Sequence, residues 1–219
     1  KDNALTGNTI TWIQKEQGDK ILPPTVFSYI NDQKNDLLTR MMNRRLNALL
    51  DSPTPPFVGT MVQMGNLGGF VRNKRALHLI ATAAPGQQKS TLTALQREVL
   101  RVVQHGFTQV ELDRSVAEML ADFQTHFINR DKTESMNKAA EYVRGETEGE
   151  PLPSLAWEEQ MLRSELPKIN LNDLNVLARQ YFTPENRMIL VAGNDSTAAF
   201  SEQSIAALLR QTPQVAADR

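Results

Sequence analysis

Prolines fence one long segment of this chain. Pro23 and Pro24 stand before residues 25–51, and SPTPP, residues 52–56, stands after them. A proline ring fixes φ, removes an N–H donor and restricts the residue before it, so regular structure has to start and stop at these fences. Between them Leu38, Met42, Leu46 and Leu49 recur at helical spacing, with Leu37, Met41 and Leu50 alongside. The spacing predicts one helix over 25–51 with a single apolar stripe, and Thr25 can cap its start. A stripe of leucine and methionine calls for a packing surface, and a sheet is the expected one.

Strand patterns lie on both sides. Residues 9–16, TITWIQKE, alternate so that Ile10, Trp12 and Gln14 share a side, and the pattern ends at Gly18. Residues 57–64 and 76–84 (ALHLIATAA) read as two more strands. GNLGG, with Gly65, Gly68 and Gly69, lies between them, followed by the basic run VRNKR. These glycines fit neither the dinucleotide fingerprint nor the phosphate loop, which needs a lysine and a hydroxyl after its last glycine. A hairpin or bulged connection with a soluble basic tip is the expected use.

The stretch QHGFTQVELDRS, residues 104–115, specifies a corner. A helix over 90–105, with Leu92, Leu95, Val99 and Val102 on its stripe, ends at Gly106, where a left-handed residue is expected. Thr108 and Glu111 then form the T-x-x-E capping box of the next helix, 109–129, with Phe107 at the staple position to meet Leu112. Val116, Met119, Leu120, Phe123 and Phe127 should face inward. Further helices are expected over 133–144, 154–166 and 171–182, the last capped by Asn170. GETEGEPLP reads as a loop, and RMILVA, 187–192, as a last buried strand. Residues 197–210 suggest one more helix, with a frayed remainder. The order points to an α+β fold: a mostly antiparallel sheet with helices packed on one face. One domain spans 1–219, with 1–24 as an N-terminal strand and linker and 197–219 as a C-terminal extension.

Composition narrows the functional classes. With 40% hydrophobic residues the chain can build a core, and 24 basic against 25 acidic residues give no pull toward nucleic acid. There is no cysteine, hence no disulfide framework or thiolate metal site, and no apolar run approaches the roughly 20 residues of a membrane helix. The chain starts at Lys1 rather than methionine, so it is expected to be a processed protein or a piece of a longer one, the piece being the preferred reading. Three histidines exist, His78, His105 and His126, none with a second histidine or carboxylate at ligand spacing. H-E-x-x-H, its inverse H-x-x-E-H and G-x-S-x-G are all absent. A three-histidine site assembled from distant segments is the one metal arrangement left open. Glu158, Glu159, Glu146, Glu148 and Glu150 read as solvated surface. Taken alone, the residues describe a domain without a visible catalytic centre.

In series, RRLNALLDSPTPPFVG, TALQREVLRVVQHGFTQVELDRSVAEML, RDKTES, the EPLPS loop, LPKINLNDLNVLARQYF and NRMILVAG resemble a peptidase-like domain of the pitrilysin (insulinase-type) zinc metallopeptidases, over residues 25–192. The resemblance implies an α/β sandwich of the metallohydrolase-like class, in which domains come in pairs or fours. One carries the inverted zinc motif on a helix; a metal-free neighbour closes over the peptide. By position, helix 25–51 corresponds to the zinc-bearing helix, yet it holds no histidine. The chain therefore resembles the non-catalytic partner, with no cofactor of its own and zinc expected in the parent's catalytic domain. Some partner domains aim an arginine and a tyrosine at the polarised carbonyl; here Leu50 and Phe57 fall near those positions and cannot donate. No catalytic residue is expected. Candidate substrate contacts are Gly65, Gly68 and Gly69, with Arg44 and Arg45 nearby, for an extended peptide along a sheet edge. The expected partners are the catalytic domain and the peptide. The alternatives are an assembly subunit of a relative without protease activity, or a general protein-binding module. Family habit and the missing cysteines suggest the periplasm or cell envelope, with the cytoplasm as alternative.

Overall fold

The computed structural model describes residues 8–16, 25–67, 71–132, 135–148, 152–193 and 200–217. Four strands, β1 (Asn8–Lys15), β2 (Gly59–Leu67), β3 (Val71–Ala83) and β4 (Arg187–Ala192), form one antiparallel sheet in the order β2-β3-β1-β4. Register follows the alternation in the sequence. Trp12 lies opposite Leu79 on one side and Ile189 on the other, and Val62 lies opposite Leu79. Ile10, Trp12, Val62, Leu77 and Leu79 thus share one face, and all are buried. Gln14 is buried on the same face. It is tolerated there because its Nε2 donates to the carbonyls of Thr183 (3.1 Å) and Glu185 (2.9 Å) while its Oε1 accepts from Trp12 Nε1 (3.3 Å).

Helices α1 (Val26–Asn47) and α2 (Gln88–His105) cover this face. Leu37, Leu38, Met41, Met42 and Leu46 are fully buried, as the stripe requires. Thr25 caps α1 in a capping box with Ser28. The helix stops at Asn47, earlier than the prolines alone would impose. Leu49 N–H bonds to Leu46 O and Leu50 N–H to Asn47 O, tightening the end into three-residue turns that keep both leucines against the core. After the corner come α3 (Gln109–Ile128), a 3-10 turn at Arg130–Lys132, α4 (Ser135–Glu148), α5 (Leu155–Glu165), a 3-10 turn at Leu166–Lys168, α6 (Leu171–Tyr181) and α7 (Glu202–Leu209). Ser154 and Asn170 cap α5 and α6. The result is the expected α+β architecture with an antiparallel sheet.

Four local expectations are corrected. VRNKR belongs to β3 rather than to a tip: the strand begins at Val71, and Arg75 pairs with Asp32 of α1 at 2.6 Å. GETEGEPLP is not loop throughout, because α4 continues to Glu148. Gly145 makes room there: a Cβ would come within 2.8 Å of Leu152 Cδ1. β4 has the expected bounds but is an edge strand, and its Met188 and Leu190 are exposed. The chain after α7 is docked, not frayed. Residues 211–216 lie along α2, held by Gln96 Nε2 to Gln211 O (2.7 Å), Gln104 Nε2 to Pro213 O (2.9 Å), His105 Nε2 with Val215 O (2.7 Å) and Arg101 Nε to Ala216 O (2.9 Å).

Candidate functional site

The corner between α2 and α3 is the most heavily cross-tied feature near the candidate residues. Gly106 has φ +74° and ψ −169°. This is positive φ with an extended ψ, a region open to glycine and not the left-handed helical cap expected. A Cβ here would also stand 2.7 Å from the side chain of Asn175 on α6, whose Oδ1 accepts from Phe107 N–H at 2.7 Å. Thr108 and Glu111 form the expected capping box, and Phe107 and Leu112 are both in the core.

Arg45 reaches this corner from α1. Its Nε and Nη2 meet the two carboxylate oxygens of Glu111 at 2.6 and 2.8 Å, Nη2 also donates to Gly106 O at 2.9 Å, and the guanidinium lies 4.6 Å from the centre of the Phe107 ring. Burial pushes the Glu111 carboxyl up, but hydrogen bonds from Arg45 and Thr108 outweigh it and hold the pKa below its ordinary value. Arg45 is directed inward, then, and ties three segments together. Arg44 is partly exposed and pairs with Glu118 of α3.

Gly65 lies near the end of β2 opposite Ala76, on the sheet face away from α1 and α2. No atom stands within 4 Å of where its Cβ would be, so a backbone can come close there. The β2–β3 pairing shifts register between Asn66 and Leu67, consistent with a bulged hairpin. Gly68 and Gly69 lie outside the described residues. Phe57 is buried and Leu50 packs on the core, and neither carries a donor. An open groove of about 790 Å³ runs between the 52–56 loop and α2, with Leu49, Pro56 and Ala94 among its apolar lining and Lys89 and Arg97 among its cations.

The histidines sit on separate elements. His78 is buried in β3 opposite Gln63 and Ile13, and burial lowers its pKa despite a hydrogen bond with the backbone of Asn66. His105 ends α2, and His126 lies on α3 with its ring 6.5 Å from that of Phe123. Among the described residues no group of three or more His, Asp or Glu side chains is placed to hold a metal ion. The buried residues of α1 are Asn35, Leu37, Leu38, Met41, Met42, Arg45 and Leu46. That donor set does not fit zinc, which needs imidazole, thiolate or carboxylate.

No family model matches the chain. A protein described as zinc protease PQQL-like from Arabidopsis thaliana is 29% identical over 77 residues, which are 35% of this chain and 8% of that protein. The first half of the periplasmic protease PqqL from Escherichia coli superposes with a TM-score of 0.84 at 16% identity, covering 98% of this chain and 47% of that one. A peptidase M16 inactive domain from Pseudomonas fluorescens gives 0.61 at 12% identity, over 89% of this chain and 42% of that one. The chain thus spans less than half the length of each. Its fold is that of a peptidase domain of the insulinase type. The similar structures include both the first half of a protease and a domain described as inactive, and the shared fold agrees with the family resemblance in the sequence.

Proposed function

We propose that this chain is a metal-free partner domain of a zinc metallopeptidase. It helps to form the chamber that holds a peptide while another domain of the same protein or complex hydrolyses the bond. The observation that carries this reading is a conjunction: an insulinase-type peptidase fold over almost the whole chain, and an α1 whose buried residues include no imidazole, thiolate or carboxylate. Residues of this chain make no bond to a zinc ion and supply no donor to the reacting carbonyl. Their work is to shape and to bind. Gly65, near the end of β2, is the peptide-facing position, with Gly68 and Gly69 after it in the sequence as further candidates, Arg44 as a partly exposed cation, and Arg45 bracing the helix that carries both arginines. The likeness to periplasmic PqqL supports a periplasmic or envelope placement.

The test is metal content and turnover. The chain alone should bind no stoichiometric zinc and cleave no peptide, and adding the parent's catalytic domain should restore cleavage. Tight 1:1 zinc with turnover by the chain alone would sink the reading. A parent lacking the inverted zinc motif everywhere would shift it to an assembly subunit.

A further inference from the structure

β2 stands at the edge of the sheet, and among the described residues no strand lies beyond it. An edge of this kind offers a row of backbone N–H and C=O groups to any extended chain. In β2 the row is interrupted. Asn43, on the flank of α1, donates from Nδ2 to Val62 O at 2.6 Å and accepts from Val62 N–H at 2.6 Å. The orientation of the amide is forced, because a carbonyl only accepts and an N–H only donates. The carboxamide presents the same donor and acceptor pair that a residue of a neighbouring strand would present. Val62 faces Leu79 in the β3 register, and both of its backbone groups are used on the outer side.

We infer that Asn43 closes the middle of the β2 edge to strand addition by standing in for the peptide unit of an absent neighbour. Asparagine is a poor choice inside a helix, ranking well below leucine or lysine in propensity, and this two-bond contact accounts for its place in α1. Thr60 and Met64 share Val62's orientation along the strand, so an incoming backbone must pair past Val62 to reach both. With Asn43 in place, it cannot. The added strand would be an extended polypeptide, supplied either by a second copy of this chain through its own β2 or by a separate peptide. This inference does not rest on the peptidase reading, and with it a peptide would meet Gly65 across the open sheet face rather than by pairing along the β2 edge.

The experiment uses the whole chain. In the unsubstituted protein, nuclear magnetic resonance should show through-bond coupling from Asn43 Nδ2 to the Val62 carbonyl and a slowly exchanging Val62 amide. Absence of both overturns the inference without any variant. In Asn43→Ala, the Val62 amide should exchange at least tenfold faster while β1 amides keep their protection. The edge should then accept a strand, seen either as a concentration-dependent dimer in sedimentation or as at least tenfold tighter binding of a synthetic peptide copying residues 60–66. The first outcome identifies a second copy as the source, the second a free peptide. Asn43→Asp keeps the acceptor and loses the donor, so Val62 N–H should stay protected. A folded Asn43→Ala with unchanged Val62 exchange, or with neither dimer nor peptide binding, overturns the proposal.

Discussion

Arg45 makes the case for reading charge against periodicity. It falls three residues after Met42, on the apolar stripe of α1, where a cation has to be paired or expelled. Its partner, Glu111, was visible in the sequence only as half of a capping box. The carboxylate does both jobs, since Thr108 N–H donates to Oε2 at 2.8 Å while Arg45 holds both oxygens. Two substitutions separate the roles. Thr108→Ala should cost about 1 kcal/mol, the usual worth of a cap. Arg45→Ala takes the cation from a half-buried carboxylate and the side-chain donor from the Gly106 carbonyl, and should cost about 3 kcal/mol. Urea denaturation of both variants should show this ranking, and equal losses would mean that the ion pair is no more than a bystander. His78 gives a pH signature. Its folded pKa lies below the ordinary 6.5, so the unfolded chain binds the proton more readily. That contribution to stability is complete above about pH 6.5 and declines as pH falls below it. His78→Gln should flatten the dependence between pH 7 and 5.5. Glu111, whose folded pKa lies below 4.5, should then lose its contribution only in more acidic solution.

At the level of elements, α2 with its docked tail is the informative case. Its stripe of Leu92, Leu95, Val99 and Val102 was legible from spacing, and all four are buried. The opposite side was not legible. Gln96, Arg101, Gln104 and His105 look like a solvated face, yet they bind carbonyls between Gln211 and Ala216. Side chain to backbone pairing leaves no periodic mark on the receiving strand, which explains why residues 211–216 read as frayed. Arg101 is buried beside Glu98, with which it also pairs. Arg101→Ala should therefore cost about 3 kcal/mol, by removing the cation beside the buried Glu98 carboxylate. Deleting residues 211–219 should cost less, because Arg101 and Glu98 keep each other. Thermal denaturation of the two variants would reverse this order if the tail, not the ion pair, dominates. β4 shows the other kind of miss. Six apolar-rich residues look the same whether a strand is central or at an edge, and only the topology decides.

Over the whole molecule, periodicity located nearly every element, because the chain alternates at two residues in strands and near four in helices. The candidate site was less legible. Its contacts, such as Asn43 to Val62 and Asn175 to Phe107, join positions far apart in the chain through single amides that carry no motif. Zinc could be discussed from sequence because its ligands are few and recognisable; a surface that shapes a peptide chamber has no such alphabet. The sheet order carries a further consequence. β1 lies between β3 and β4, and its partner on one side is contributed by residues 187–192. A nascent chain leaving the ribosome can therefore assemble β1, β2 and β3 long before β4 emerges. Throughout that interval the flank of β1 that β4 will cover stands bare, with Ile10, Trp12 and Ile13 beside it. This is the stage of biosynthesis at which a holding chaperone has most to protect.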